Sequence, residues 1–331
     1  MYILSSYRLS PENNARIAEK AEALGGSFVA TSFEQSVDSI VEQIEREITK
    51  ATIFLGGRLS PEQLERAALL RWINVPWAGV NALMSLPGIE RRSDIVITNS
   101  SGVMADSVAD QAMAYLLMLN RNLANQVRWQ MRKEWNRYTS VEHPDRRILR
   151  NRTLGIVGYG AIGRALAERA RAFGMKIVAV KRDVGGDVFP ELDTLYNARD
   201  LPLLLAESDF VVITLPLTSR TEGMIGRGEL AYMKPTACLV NVARGKVVVQ
   251  SALIQALQGQ TIAGAALDVF EEEPLPEDSV FWEMENVILT PHSSGGFVGF
   301  GDAVTDLFLK QIDRFVRNLP LENRVDTERG Y

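Results

Sequence analysis

Cysteine is nearly absent: Cys238 stands alone in 331 residues, so no disulfide framework holds this chain together. Histidine is almost as scarce, and His143 and His292 beside one cysteine cannot furnish a Cys/His zinc site. No apolar run approaches the ~18–20 residues of a membrane span; the longest candidate, Ala112 to Leu119, is short and follows Asp110. A basic excess is lacking too. With 36 Lys+Arg against 41 Asp+Glu the formal net charge is −5, which recruits neither nucleic acid nor an anionic membrane. The opening MYILSSYRLSPENN has no basic stretch followed by an apolar block and a cleavage site. The expectation is a soluble, cytoplasmic protein whose chemistry needs few histidines.

What is present is apolar residues in short, regular runs. The chain is 46% hydrophobic, and its length suggests two domains of about 100–200 residues each. Tyr2-Ile3-Leu4, Ser27–Thr31, Ala51–Leu55 and Ile95–Thr98 read as strands, and Pro11–Leu24 as a helix closed by Gly25-Gly26. Ser60-Pro61 is a second helix start. Asp106–Leu123 reads as a long apolar helix. Arg128, Trp129, Arg132, Trp135, Arg137 and Tyr138 follow it, a basic-aromatic stretch that suits a subunit interface or an extended arm better than nucleic acid. From Thr153 the alternation resumes, with strands at Thr153–Val157, Lys176–Val180, Phe210–Leu215, Ala237–Val242, Ile262–Leu267 and Val287–Leu289. Asp302–Asn318 reads as a closing amphipathic helix. Strands alternating with helices predict an α/β chain with parallel sheets covered on both faces.

Between the strand Leu154–Val157 and a helical run lies Gly158-Tyr159-Gly160-Ala161-Ile162-Gly163. G-x-G-x-x-G in that context is a dinucleotide-binding turn: Gly158 makes the turn, Gly160 admits the pyrophosphate, and Gly163 lets helix and strand approach. The next strand ends in Lys181-Arg182, where NAD-binding chains carry an acid for the ribose. Two cations favour a 2′-phosphate and hence NADP(H); NAD(H) is the alternative if Asp183 takes the ribose across a longer turn. Three other strand ends carry charge. Arg244 follows Asn241-Val242-Ala243, Asp268 opens a segment ending at Glu273-Pro274, and His292 emerges between Thr290-Pro291 and a glycine loop. In open α/β sheets ligands bind at the carboxyl ends of strands. There Arg244 would pair with a substrate carboxylate, His292 would exchange a proton with a keto oxygen, and Glu273 would hold the imidazolium. His143, in a polar stretch before Pro144, reads as a surface residue, Cys238 as a buried small hydrophobe, and Glu271 and Glu272 as solvated carboxylates.

These segments resemble the D-isomer-specific 2-hydroxyacid dehydrogenase family. The resemblance spans nearly the whole chain and is carried by VGYGAIGRALAERARAFGMKI, LPLTSRTEGMI, LVNVARGKVV, GAALDVFEEEPLP, VILTPHSSGG and the terminal ERGY. It implies that Arg244, Glu273 and His292 form the catalytic trio, at the spacing the family keeps. It also implies that Asp268 meets the nicotinamide carboxamide, that Leu215, Pro216, Thr221, Val242, Ala243 and Gly295 border the cofactor, and that the Ala78-Gly79 backbone holds the substrate carboxylate. Its layout would be two Rossmann-like domains. A discontinuous, flavodoxin-like substrate domain would take 1–101 plus 295–331, and a cofactor domain 102–294. The implied activity is NAD(P)H-dependent reduction of a small 2-keto acid of the glyoxylate or hydroxypyruvate type, in a homodimer. Other readings on the same fold are a cofactor-sensing binding protein or corepressor, and oxidation of formate or phosphite. Three departures stand out. Lys181 replaces the usual Asp, the loop after His292 reads SSGG rather than IAGA, and Trp77 sits beside Ala78-Gly79, either narrowing a pocket or packing in the core.

Overall fold

The first strand, β1 (Tyr2–Ser5), is short and apolar, and the helix after it begins where the sequence predicts. Ser10 caps it by accepting from the Asn13 N–H, Pro11 takes the first helical position, and α1 runs Pro11–Ala23. The pattern continues through β2 (Ser27–Val29), α2 (Val37–Glu47), β3 (Ile53–Leu55), α3 (Pro61–Arg66), β4 (Trp72–Val75), α4 (Asn81–Met84) and β5 (Val96–Asn99). The strands form one parallel sheet in the order β2-β1-β3-β4-β5, the flavodoxin-like order whose switch point lies between β1 and β3. This computed structural model describes residues 1–135, 148–185, 188–327 and 329–330. His143, Arg137, Tyr138 and two residues of ERGY, Glu328 and Tyr331, lie outside the described residues.

The chain divides into two compact units, Met1–Met104 with Phe297–Tyr331, and Ala105–Gly296. The second contains α5 (Ala105–Arg121), α6 (Leu123–Met131), β6 (Thr153–Val157), α7 (Ala161–Ala172), β7 (Lys176–Lys181) and β8 (Thr194–Asn197). These are followed by α8 (Leu201–Glu207), β9 (Phe210–Ile213), α9 (Arg227–Tyr232), β10 (Cys238–Asn241), α10 (Gln250–Gln258), β11 (Gly264–Leu267) and β12 (Val287–Leu289). Its seven-stranded parallel sheet has the order β12-β11-β10-β9-β6-β7-β8, the dinucleotide-fold order with its switch point beside β6. The last helix, α11 (Phe300–Val316), belongs to the first unit. Phe308 and Phe315 of α11 lie 5.2 and 5.3 Å, centroid to centroid, from the fully buried Trp72 ring, whose indole N–H donates to Thr98 Oγ1 at 2.8 Å. No helix among the described residues is long and apolar enough to cross a membrane.

Some elements differ from the sequence reading. β4 lies between β3 and β5 with all four residues buried, but Asn74 interrupts its apolar run. β8 is a half-exposed edge strand with no alternation to betray it. α2, absent from the sequence reading, carries Val37, Ile40, Val41 and Ile44 at helical spacing, and the Ser36 hydroxyl caps it. Of the basic-aromatic stretch, Arg128 and Trp129 lie in α6, which ends at Met131. Cys238 is half-buried rather than buried. It starts β10 at the amino end of the sheet, where it lines a cavity with Leu119 and Phe210 instead of packing inside it.

Candidate active site

In the second unit the glycine turn closes β6. Gly158 has φ +104°, and a Cβ there would lie 2.8 Å from the Leu215 backbone nitrogen, so only glycine fits beside β9. Thr214 hydrogen-bonds the same turn through its N–H to Val157 O at 2.9 Å and its hydroxyl to Gly158 O. Gly160 caps α7 without a side-chain partner, and a Cβ on it would meet nothing within 4 Å. Open space over Gly160, with the free N–H groups at the start of a twelve-residue helix (Ala161, Ile162), is a cradle that fits a dinucleotide pyrophosphate. Gly163 packs inside this unit, and the Tyr159 ring is buried with its hydroxyl turned to Glu191.

At the end of β7, the Lys181 ammonium stands 5.1 Å from the Phe189 centroid, and the Arg164 guanidinium lies 4.6 Å from the same ring. Arg182 faces Asp183 at 3.7 Å, so the alternative ribose ligand for NAD already has a cation beside it. Leu215 and Pro216 follow β9. Thr221 closes the turn after them, donating to Pro216 O at 2.7 Å and accepting from Thr218 N–H at 2.8 Å.

Three neighbouring strands deliver the charged groups. Arg244 follows β10, Asp268 follows β11 with Glu273 five residues on, and His292 follows β12. Glu273 Oε2 meets His292 Nδ1 at 2.7 Å, and its Oε1 accepts the Phe270 N–H at 2.9 Å. Burial pulls the Arg244 guanidinium below its ordinary value, and the nearby Glu273 charge opposes that shift. The Arg244 loop is fixed by Asn241, whose amide donates to Arg244 O at 3.0 Å while its oxygen accepts from Ala243 N–H at 3.0 Å. Val242 and Ala243 are buried beneath it. A cavity of about 580 Å³ opens beside the pair, lined by Phe270, Glu273, Leu275, Trp282, Leu289 and His292.

His292 adopts φ +52°, a left-handed conformation that a bulky residue keeps only when its surroundings impose it. Those surroundings are Asp268. Fully buried, it accepts from the Thr290 hydroxyl, from Ser293 N–H at 3.0 Å and from Ser294 N–H at 3.0 Å, while its carbonyl accepts from His292 N–H at 2.8 Å. Tyr115, buried on α5, pairs with Thr290, and Ser107 donates to Ser294 O at 2.8 Å just before Gly295. Sequence reasoning missed Asn241, Thr290, Tyr115 and Ser107. Tyr115 and Asn241 stand out as polar within otherwise apolar runs; Ser107 and Thr290 carry no such signal.

Ala78 and Gly79 belong to the first unit, after β4. The carbonyls of Trp77 and Ala78 accept from Ser100 N–H at 3.1 Å and the Asn99 amide at 2.8 Å. Among the described residues the Ala78 and Gly79 N–H groups meet no acceptor, which leaves two adjacent donors for an anion.

A family model described as D-isomer specific 2-hydroxyacid dehydrogenase, NAD binding domain, matches residues 113–294. A glyoxylate reductase of Pyrococcus horikoshii is 35% identical over 314 residues, covering 91% of this chain and 92% of that protein. The chain belongs to the D-isomer-specific 2-hydroxyacid dehydrogenase family. As such a dehydrogenase it is an oxidoreductase. It is also similar to a glyoxylate reductase of Pyrococcus furiosus, 36% identical over 287 residues, covering 85% of this chain and 82% of that one. Among solved structures, an NADPH-dependent glyoxylate/hydroxypyruvate reductase from Sinorhizobium meliloti, in complex with NADP and sulfate, superposes with a TM-score of 0.81. It is 26% identical and covers 100% of this chain and 99% of its own. A family member from Xanthobacter autotrophicus, in complex with NADPH, gives a TM-score of 0.82 at 27% identity, covering 100% and 99%.

Proposed function

We propose that this dehydrogenase reduces small 2-keto acids of the glyoxylate or hydroxypyruvate type to D-2-hydroxy acids, with NADP(H) favoured and NAD(H) possible. The observation that carries the reading is the Glu273–His292 pair at 2.7 Å, at the strand ends that also carry Arg244. When bound, the reduced nicotinamide supplies a hydride to the keto carbon. Arg244 takes the substrate carboxylate and polarises the keto oxygen. In the first unit, the adjacent N–H groups of Ala78 and Gly79 suit a carboxylate. His292 gives the proton at Nε2 to the developing alkoxide. Glu273, accepting a hydrogen bond from Nδ1–H, fixes the ring and stabilises its charged form. Lys181 and Arg182 at the end of β7 favour the extra phosphate of NADP(H).

Met131 and Trp135, 81% and 86% exposed around the end of α6, support a homodimer formed through that region. A cytoplasmic enzyme working on metabolites of this size suits the composition. Steady-state oxidation of NADPH with glyoxylate and hydroxypyruvate tests the reading. His292→Gln and Arg244→Ala are expected to lose turnover while NADPH still binds in calorimetry. Turnover unaffected by both changes would refute it, and a cofactor-sensing protein would then be the better description.

A further inference from the structure

Helix α5 lends two hydroxyl groups to the loop that carries His292. Tyr115 pairs with Thr290 Oγ1, two residues before the histidine. Ser107, about two turns earlier on the helix, donates to Ser294 O at 2.8 Å, two residues after it. All of these residues belong to the second unit. Tyr115 is fully buried, on a helix face whose other members include Val108, Ala112 and Leu116. Phenylalanine would fill the same volume with no polar atom to satisfy, so the hydroxyl is explained by what it bonds rather than by packing.

The direction of these bonds follows by elimination. A carboxylate oxygen only accepts, so the single hydroxyl hydrogen of Thr290 goes to Asp268 Oδ1. Thr290 has no second hydroxyl hydrogen, and Tyr115 must therefore be the donor to its oxygen. Burial pushes the phenol above its ordinary value, which keeps that hydrogen in place. The result is a one-way chain, Tyr115 to Thr290 to Asp268, in which each donor strengthens the next and the last acceptor is a buried carboxylate. Asp268 passes the constraint on. Its side chain accepts from the Ser293 and Ser294 N–H groups at 3.0 Å each, and its carbonyl accepts from His292 N–H at 2.8 Å. These bonds bracket the residue held at φ +52°.

Resting on the reading under Proposed function, we propose that Tyr115 is a positioning residue for the proton step. Through Thr290 and Asp268 it fixes the loop from which His292 presents Nε2 to the keto oxygen while Nδ1 stays on Glu273. The chemistry is unchanged; what the phenol supplies is the place of the imidazole. A misplacement of about 1 Å far from the reacting atoms can cost roughly 100-fold in rate, so one hydroxyl at the head of this chain is enough to matter.

The test is Tyr115→Phe, which keeps the ring and removes the hydroxyl. Its kcat with NADPH and glyoxylate or hydroxypyruvate should fall at least about tenfold, while KM for the acid changes less than about twofold. Thr290→Val breaks the chain at its next link and should fall at least as far. The double variant should be no slower than Thr290→Val alone, because both substitutions cut the same chain. A second readout needs no turnover. In His143→Gln, which leaves His292 as the single histidine, the low-field Nδ1–H proton resonance of the bond to Glu273 should be sharp, and adding Tyr115→Phe should broaden it. A Tyr115→Phe enzyme with parent-like kcat and an unaltered resonance overturns the positioning role alone. So do losses that multiply in full in the double variant, since a tyrosine that merely packs α5 would act independently of Thr290. If Tyr115→Phe loses its far-UV circular dichroism, Thr290→Val decides by the same two readouts. Failure of the parent to reduce either acid overturns the reductase reading and this one with it.

Discussion

Replacing Asp268 by asparagine tests how the His292 loop is held. The parent carboxylate is fully buried and accepts three hydrogen bonds, two on Oδ1 from Thr290 and Ser293 and one on Oδ2 from Ser294. Asparagine is nearly isosteric, so no cavity forms. Its oxygen keeps the two bonds of Oδ1, but its NH2 then confronts the Ser294 N–H, donor against donor. Losing one charge-assisted bond and stranding one buried donor costs about 2–3 kcal/mol. Alanine strands all three donors, at least about 3 kcal/mol. The expected order of stability is Asp, Asn, Ala, read from urea unfolding followed by far-UV circular dichroism at pH 7. Turnover should fall in the same order, because His292 keeps its left-handed conformation only through this network. An asparagine variant within about 0.5 kcal/mol of the parent, the usual scatter for an inconsequential substitution, and with unchanged kcat would refute the reasoning.

Gly158→Ala should lower the melting temperature, because its Cβ has no room beside Leu215. Gly160→Ala should melt like the parent yet bind NADPH at least tenfold more weakly in calorimetry, and parent-like binding would move the pyrophosphate elsewhere. Lys181→Asp with Arg182→Ser should raise KM for NADPH and lower it for NADH; equal constants for the two cofactors before mutation would dismiss the phosphate site. In the first unit, the Tyr2 hydroxyl donates to Glu47 Oε2 at 2.6 Å. That bond, with Lys50 and Arg46, pulls Glu47 down to about 2, while burial and then Glu47 push Tyr2 up to about 12. The stabilisation is therefore complete above the ordinary carboxylate range and fades as pH falls to about 2. Tyr2→Phe should cost about 1–2 kcal/mol at pH 7 and little at pH 2, as read by chemical denaturation.

How much was legible depended on whether a signal was local. The glycine turn, Ser60-Pro61 and Val287-Ile288-Leu289 are contiguous patterns whose conformation follows from neighbours in the chain, and each lies where its residues predict. β4 escaped because burial on both faces removes the alternation that marks a strand, and β8 because an edge strand needs little apolar surface.

The sequence by itself determined the α/β alternation, the dinucleotide turn and the candidate trio, because these rest on residue type and short-range spacing. Only the tertiary structure decided that Glu273 faces His292 Nδ1, that Asp268 and Asn241 hold the loops on which His292 and Arg244 ride, and that Trp77 walls an apolar cavity. Those depend on strand order and loop register, which bring residues distant in the chain within hydrogen-bond reach and have no signature in a single sequence.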